Sequence, residues 1–523
     1  MNVAVAAEGA QARLLRIGRA SYPLVLPNRR DARLHLAGVI ISIHVLGQVV
    51  LDFRVTVIQI LAAILTAAVI ELTMTFARDR RVVWPASAML TGSGIGLILR
   101  DAHTTAGHPW GTQRWYLFAG VSALAMATKY IVRWHGQHVF NPSNIALVAV
   151  FLVLGTGQAE PLDFWWVPFD GWMVLAYSLI VIGGVTITWR LGLLEMGAAF
   201  WLTLAVCVGA LSWSGHAITT TWSVTPVTGL HFWWTIVSSP EVLIFMFFML
   251  TDPKTVPEGR VARIVFGIAV AVFAALLIAP QHDEFATKVA LLGALCIACL
   301  GRFALARLMP HVGSADDDPV VFLTDSLGVR AVGRPASSWL GVVRLAGIAP
   351  LLIVPVVWLG SGARTSAAIP TPSQLPDAST IVPRLHLTSL PAISMDDDLG
   401  GYAGNIAGDG ARLVVESLYW DLAVEGEALR RGDAKLLRAV DHGSRLAANL
   451  DRLAAGDVSL PTYTFDSVHF GYRRLGGQSA PVLTVHVIGS AVIAARSEPE
   501  PVDIIFAMRR IGADRWLIVA TLE

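Results

Sequence analysis

The sequence predicts a polytopic α-helical membrane protein: a five-plus-five inverted-repeat core, one extra helix, and a C-terminal α+β domain outside the membrane. Three observations lead there. Of 523 residues, 54% are hydrophobic and only 15% charged, with a mean hydropathy of +0.60, values that belong to integral membrane proteins. Apolar runs close to the ~20 residues needed to cross a bilayer core recur up to position 360. Past residue 391 the pattern changes to amphipathic helices and then to alternating strands.

Charge and cysteine content exclude some classes. The formal net charge of +1 points to no charged partner, and no basic face with interleaved aromatics supports nucleic-acid binding. Cys207, Cys296 and Cys299 all lie in apolar segments, so no disulfide framework is implied. Residues 1–34 form a basic, Arg-rich N-terminal segment. No small-residue cleavage site follows the apolar run after Leu34, so it does not read as a signal peptide.

The core, 35–306, holds ten expected spans: 35–52, 55–77, 83–99, 115–132, 142–155, 172–189, 194–213, 239–251, 261–279 and 285–306. The third, fifth and eighth are short. A cytoplasmic loop, 307–338, carries the acid run Asp316 to Asp318, a solvated turn, and precedes the eleventh span at 339–360. Basic residues set the orientation. Arg13, Arg16, Arg19, Arg29, Arg30 and Arg33 precede the first span, and Arg78, Arg80 and Arg81 follow the second. Lys129, Arg133, Arg190, Lys254, Arg260, Arg263, Arg302 and Arg307 continue the alternation, whereas the opposite loops hold little beyond Arg54, Arg100 and Arg114. The N-terminus is therefore expected in the cytoplasm of a plasma-membrane protein, and the odd span count puts residues after 360 outside.

Five spans per half force opposite topology, the mark of an inverted repeat. The third span of each half opens at a proline, Trp84-Pro85-Ala-Ser87 and Ser239-Pro240-Glu241, and ends near an acid, Asp101 and Asp252. Short proline-started helices also suit an ordinary bundle, so the repeat stands as an expectation. Phe140-Asn-Pro-Ser-Asn144 is the most informative break. Proline at a first helical position needs no amide partner, Asn and Ser cap free N–H groups, and a helix start inside a membrane offers positive partial charge to an anion. Ser239 with Thr251, Asp252 and Pro253 marks the second break.

Other residues have competing readings. Cys296-Ile-Ala-Cys299 is a buried structural pair on one helix face rather than a redox or metal site. His135 and His138 flank the Asn-Pro break, either as interfacial anchors or as contacts to a quinone or phosphate. Glu71 is an intramembrane acid, functional by default, yet near enough to Arg78 to reach the interface. The run Thr91-Gly-Ser-Gly-Ile-Gly96 lacks the preceding strand of a phosphate loop and suits close backbone packing, against either a neighbouring helix or a flat aromatic ligand. Phe164-Trp-Trp166 and Phe232-Trp-Trp234 read as interfacial aromatics in outer loops. A Pro/Ser/Thr-rich tether, 361–391, leads to the domain at 392–523. There, helices at 411–430 and 434–455 precede strands at 464–474, 482–495, 502–510 and 515–522, with Gly476-Gly477 as a turn. That order resembles NTF2-like domains at the level of fold alone.

Three motifs in order, Pro85-Ala-Ser-Ala-Met-Leu-Thr-Gly92, Phe140-Asn-Pro-Ser-Asn144 and Phe247-Phe-Met-Leu-Thr-Asp252-Pro253, resemble the D subunit of Rnf and the B subunit of Nqr over roughly residues 35–305. These are flavin-carrying membrane subunits of ion-pumping electron-transfer complexes. The likeness is greatest to a divergent group associated with enediyne biosynthesis. It implies a ten-helix inverted repeat, bound FMN or riboflavin, and partner membrane or redox subunits. Carried onto this chain, the cofactor would contact Pro85, Ser87, Thr91 and Gly92 in the first half. Around the fifth span it would meet Asn141, Pro142, Ser143 and Asn144, and around the eighth Ser239, Thr251, Asp252 and Pro253. The family's Ser-Gly-Ala-Thr attachment signature is replaced by Ser223-Val-Thr225-Pro-Val-Thr228-Gly229. Only Thr225 and Thr228 offer a threonine hydroxyl there, so the flavin is expected to be non-covalent. The alternative is a channel or transporter on the same scaffold that moves or senses a small molecule, linked to natural-product biosynthesis.

Overall fold

A computed structural model describes residues 13–326 apart from 18, 29–30, 52, 102, 105–107, 156–157, 163–170, 219 and 221–226. Beyond these it describes 354–357 and 375–522 apart from 385, 397–398, 400–408, 457–460, 475–480, 494–498 and 511–515. The chain divides into two compact units.

The first unit is helical. Its helices are α1 (Ala32–Val49), α2 (Val57–Asp79), α3 (Ala86–Ile98), α4 (Trp115–Ile131), α5 (Pro142–Leu154), α6 (Gly171–Leu191), α7 (Leu194–Trp213), α8 (Gly229–Ser238), α9 (Pro240–Ile244), α10 (Arg260–Ile278), α11 (Glu284–Leu308) and α12 (Pro319–Ser326). A π-helical stretch, Phe245–Leu250, continues α9. Among the described residues, seven segments are long and apolar enough to cross a membrane: α1, α2, α6, α7, the run Gly229–Leu250, α10 and α11. Val45, Leu65, Val69, Ile182, Leu202 and Val206 stand exposed along these helices. So many outward apolar side chains suit a lipid environment and not water. This is a membrane-embedded protein.

Local chemistry fixes the helix starts. Thr56 and Gln59 form a reciprocal capping box at α2, and the Gln59 amide also donates to Thr104 Oγ1 and the Gln113 carbonyl. Helix α2 packs on α3 and α4, α1 on α3 and α6, and α7 on α8 and α10, while α6 meets α9 and its π continuation. The α2–α3 approach is close because Gly92 has no side chain. A Cβ there would stand 2.5 Å from the Ala63 carbonyl oxygen, the packing that small residues permit in membranes.

Short strands punctuate the helices. β1 (Arg13–Ile17), β2 (Ala20–Val25) and β3 (Val82–Val83) form one small sheet. β4 (Leu99–Asp101) follows α3, and β5 (Arg133–Trp134) and β6 (Gln137–His138) make a hairpin. β7 (Ala159–Pro161) pairs with β4. Turns after α3 and after the π stretch fold alike. In both, a threonine N–H donates to an aspartate carbonyl three residues earlier, Thr104 to Asp101 and Thr255 to Asp252, each at 3.0 Å. Each carboxylate also accepts the N–H two residues on, from His103 at 3.3 Å and Lys254 at 3.1 Å.

Two expectations need correction here. The eighth span does not begin at 239. Helix α8 precedes it, and Gly229–Leu250 forms one apolar stretch interrupted at Ser239-Pro240. Phe232-Trp-Trp234, expected in a loop, belongs to α8: Phe232 is fully buried and the Trp233 indole N–H donates to the Ala205 carbonyl of α7 at 2.8 Å. Of the eleventh span, only 354–357 are described, and they are helical. Phe164-Trp-Trp166 and Gly476-Gly477 lie outside the described residues.

The second unit takes in the C-terminal domain and a two-strand pairing of β8 (Ala217–Ile218) with β9 (Val227–Thr228). Its five-stranded sheet runs β10 (Ala392–Met395), β11 (Pro461–Arg474), β12 (Pro481–Ile493), β13 (Glu500–Arg510) and β14 (Trp516–Leu522), in that order. All neighbours are antiparallel except β10 with β11, and β10 adds a strand to the four expected. Irregularities at Phe465/Ser467 and Ala507/Met508 bend the sheet. Helix α13 (Asp409–Arg431) lays Val414, Val415 and Leu418 against Val468, Phe470, Val485 and Phe506.

The second expected helix is two, α14 (Ala434–Val440) and α15 (Gly443–Ala454). Asp441 breaks it by bridging to Ile518 of β14, where the His442 N–H donates to the Ile518 carbonyl and Gly443 turns with φ +59°. Asn449 donates to Asp441 at 2.7 Å, and Arg445 holds Glu425 with two bonds of 3.0 and 2.7 Å. Burial first, and then the Glu425 carboxylate, push the Asp441 carboxyl far above its ordinary 3.8. The fold retains a proton that the unfolded chain has lost. That contribution is therefore complete below the ordinary value and declines as pH rises. Asp441→Asn should flatten the decline in the domain's unfolding midpoint between about pH 5 and pH 8, read by thermal melting of the full chain. An unchanged slope would mean that Asp441 is ionised in the fold.

Candidate functional site

The start of α5 is tied to the second half of the core. Asn141 caps the helix by accepting from the Asn144 N–H, with Pro142 at the first turn, and its Oδ1 also accepts from Ser143 Oγ at 2.9 Å. Its amide donates to the Met249 carbonyl in the π stretch at 3.0 Å. Asn144 does not cap. It donates to the Leu292 carbonyl of α11 at 2.9 Å and to Cys296 Sγ at 3.2 Å. All three side chains are buried.

Around this start, α11 sends in Arg302, which is 3% exposed. Its guanidinium donates to the Lys254 carbonyl at 2.6 Å and the His138 carbonyl at 2.9 Å. One side chain thus holds the chain entering α5 and the turn leaving the π stretch. His138 Nε2 stands 3.6 Å from Asp252 Oδ2, beyond a hydrogen bond. Asp252 also accepts from the Lys254 N–H, and the Thr251 hydroxyl donates to the Phe247 carbonyl. Ser239 accepts from the Val242 N–H at the head of α9. Pro253 is exposed.

The other cluster joins α2, α3 and α4. Lys129 Nζ donates to Glu71 Oε2 at 2.8 Å and to Ser87 Oγ at 3.4 Å, and Tyr130 donates to the same Glu71 oxygen at 2.7 Å. Glu71 is therefore paired within the bundle, and Arg78 is not its partner. Thr91 donates within its own helix to the Ser87 carbonyl, Pro85 caps α3 without a side-chain bond, and Gly92 packs on α2. A polar cavity of about 260 Å³ is lined by residues of both clusters, Glu71, Lys129 and Tyr130 from one and His138 and Lys254 from the other.

The structure thus brings Asn141, Ser143, Asn144, Thr251 and Asp252 together, and sets Ser87 beside Lys129 in the other cluster. Thr228 lies at an exposed position of β9, and Thr225 is outside the described residues. Lys129, Tyr130, Lys254 and Arg302 were not expected at the site. Lys129 and Glu71 had a readable signal, two opposite charges inside separate spans. Among the buried polar atoms here that find no hydrogen-bond partner in the described residues are Asn144 Oδ1 and His138 Nε2. No group of three or more metal-ligating side chains stands together among those residues. Compared with known proteins, the chain matches no family model, and no curated protein matches it either.

Removing one member of a buried ion pair strands the other. Lys129→Met should lower stability by about 3 kcal/mol, seen as a lower melting temperature in detergent, and Glu71→Gln added to it should restore most of the loss. Equal melting of the single and double variants would show the pair to be solvated.

Proposed function

We propose that this chain is the membrane component of an electron-transport system resembling Rnf and Nqr, equivalent to the D subunit of the one and the B subunit of the other. It would hold FMN or riboflavin non-covalently between its broken helices. The observation that carries the reading is the pair of unpartnered buried atoms beside the α5 break, Asn144 Oδ1 and His138 Nε2. Buried polar atoms without partners are costly, and a flavin ring carries both donors and acceptors to complete them. The residues fit the group in that respect. When bound, the flavin would supply one- and two-electron chemistry; the chain's own part is to hold and orient it and to exclude water. Partner redox proteins would supply and take the electrons.

Likenesses between the two halves support this reading. Helix α2 meets α4 as α7 meets α10, and the turns at Asp101 and Asp252 share their bonds. Inverted repeats place a binding site between the halves near the midplane. In this reading the N-terminus is cytoplasmic in the plasma membrane, and an NTF2-like domain lies outside. A transporter or channel on the same scaffold is the second reading. It is favoured by the amides of Asn141 and Asn144, which are already committed to protein carbonyls.

Gently purified protein should be yellow, and its flavin should leave on denaturation. Asn141→Leu and Asp252→Leu should abolish flavin absorbance while the protein still inserts, and deletion of residues 365–523 should leave it intact. Colourless wild-type protein would favour the transporter reading. Fluorescence on the denatured band, lost in Thr225→Ala or Thr228→Ala, would establish covalent attachment instead. A reporter fused after Glu523 should be active only in its extracytoplasmic form; cytoplasmic activity would remove one span.

A further inference from the structure

We propose that the polar cavity between α2, α4 and the turn after the π stretch binds a phosphate monoester. The inference concerns an anion site and does not depend on a flavin between the helices. Charge is the first argument. Arg78, Lys129, Arg133 and Lys254 line the cavity against two carboxylates, Glu71 and Asp79. That leaves a net +2 among these lining side chains, and any charge on His138 is offset by the Asp252 carboxylate 3.6 Å from it. A phosphate monoester carries about −1.5 to −2 near neutral pH, so it balances the cavity where a carboxylate or sulfonate leaves an excess positive charge.

Size agrees. About 260 Å³ falls just below the ~300–1,000 Å³ of sites that enclose whole small molecules. The cavity suits the charged end of a ligand whose remainder lies outside it. Buried polar groups make the third argument. Lys129 is 9% exposed, and its ammonium faces the cavity from beside Ser87 and Glu71. His138, 8% exposed, has its Nε2 buried and without a hydrogen-bond partner, with the Asp252 carboxylate 3.6 Å away. An entering phosphate can accept from that nitrogen when it carries a proton, from Lys129, and from the more exposed Arg78 and Lys254. Charge-assisted bonds of this kind are short and strong. Glu71 holds Lys129 in place meanwhile, so the ammonium is not left unpaired before an anion arrives.

The phosphate can come from a soluble ester or from a phosphatidic acid headgroup, since the cavity lies at the basic end of the helices. Full-length protein in phosphatidylcholine nanodiscs, titrated with phenyl phosphate, separates the cases. Binding is expected, with benzenesulfonate about tenfold weaker and the Arg78→Met/Lys254→Met variant weakened by about the same factor, the equivalent of one charge-assisted hydrogen bond. Both altered side chains are exposed, so the variant should melt like the parent. Glu71→Gln, which releases Lys129, should bind phenyl phosphate more tightly. Phosphatidic acid added to the discs raises the parent's melting point and competes with phenyl phosphate if the source is a lipid; without competition, the source is a soluble ester. The proposal fails if neither phosphate species binds, if benzenesulfonate binds equally, or if the double variant keeps full affinity. Flavin colour is a separate readout, so this site and the flavin reading can fail independently.

Discussion

The core is governed by one constraint: inside hydrocarbon, every backbone N–H and C=O must find a partner. A helix that starts or ends within the membrane breaks that rule by design, and each unsatisfied group costs several kcal/mol. The break at Phe140-Asn-Pro-Ser-Asn144 is tolerable because one side chain answers both sides of it. Asn141 Oδ1 takes a free N–H at the start of α5, and Asn141 Nδ2 reaches the carbonyl of Met249 near the end of the facing π stretch. A leucine of similar size could do neither. Arg302 does the same for the carbonyls of His138 and Lys254. The two halves are joined at the places where each would otherwise be incomplete.

Charge follows from the same arrangement. A buried arginine and a buried lysine need counter-charges or several acceptors. Arg302 obtains carbonyls and Lys129 obtains Glu71. Arg78 and Lys254, nearer the end of the bundle, are exposed, Arg78 with the Asp79 carboxylate 3.9 Å away. The resulting gradient runs from tightly paired charge inside to exposed charge outside. That is why the cavity between them is net positive although the whole chain is nearly neutral.

Much of the core was legible because hydropathy reports the bilayer directly. Each of the ten expected core spans overlaps a helix, and the helix starts at Pro142 and Pro240 follow from proline chemistry. The eighth span went wrong at Phe232-Trp-Trp234, where tryptophan signals an interface as readily as a helix–helix contact. The indole of Trp233 settles this through a bond to Ala205, a backbone partner that sequence spacing does not reveal. The same blindness hid the reach of Asn141 and Asn144: the Asn141 cap is local and readable, but Met249 and Leu292 lie more than a hundred residues away. In the C-terminal domain, the split between α14 and α15 depends on a bridge from Asp441 to Ile518. No helical period records such a long-range pairing.

This division of labour narrows what can recognise a ligand. Side chains that close a broken helix have their polar atoms occupied in doing so. Asn141, Ser143 and Ser239 donate or accept within the protein, and Gly92 serves only to let α3 approach α2. In the proposed reading, recognition falls to groups left over once the backbone is satisfied. These are the carbonyl oxygen of the Asn144 amide, the outer nitrogen of His138, and the cations that Glu71 and Asp79 do not neutralise. The first two stand beside the α5 start because a break is where an orderly helix stops consuming its own polar groups. The atoms that close the break are therefore distinct from those left to touch what enters it.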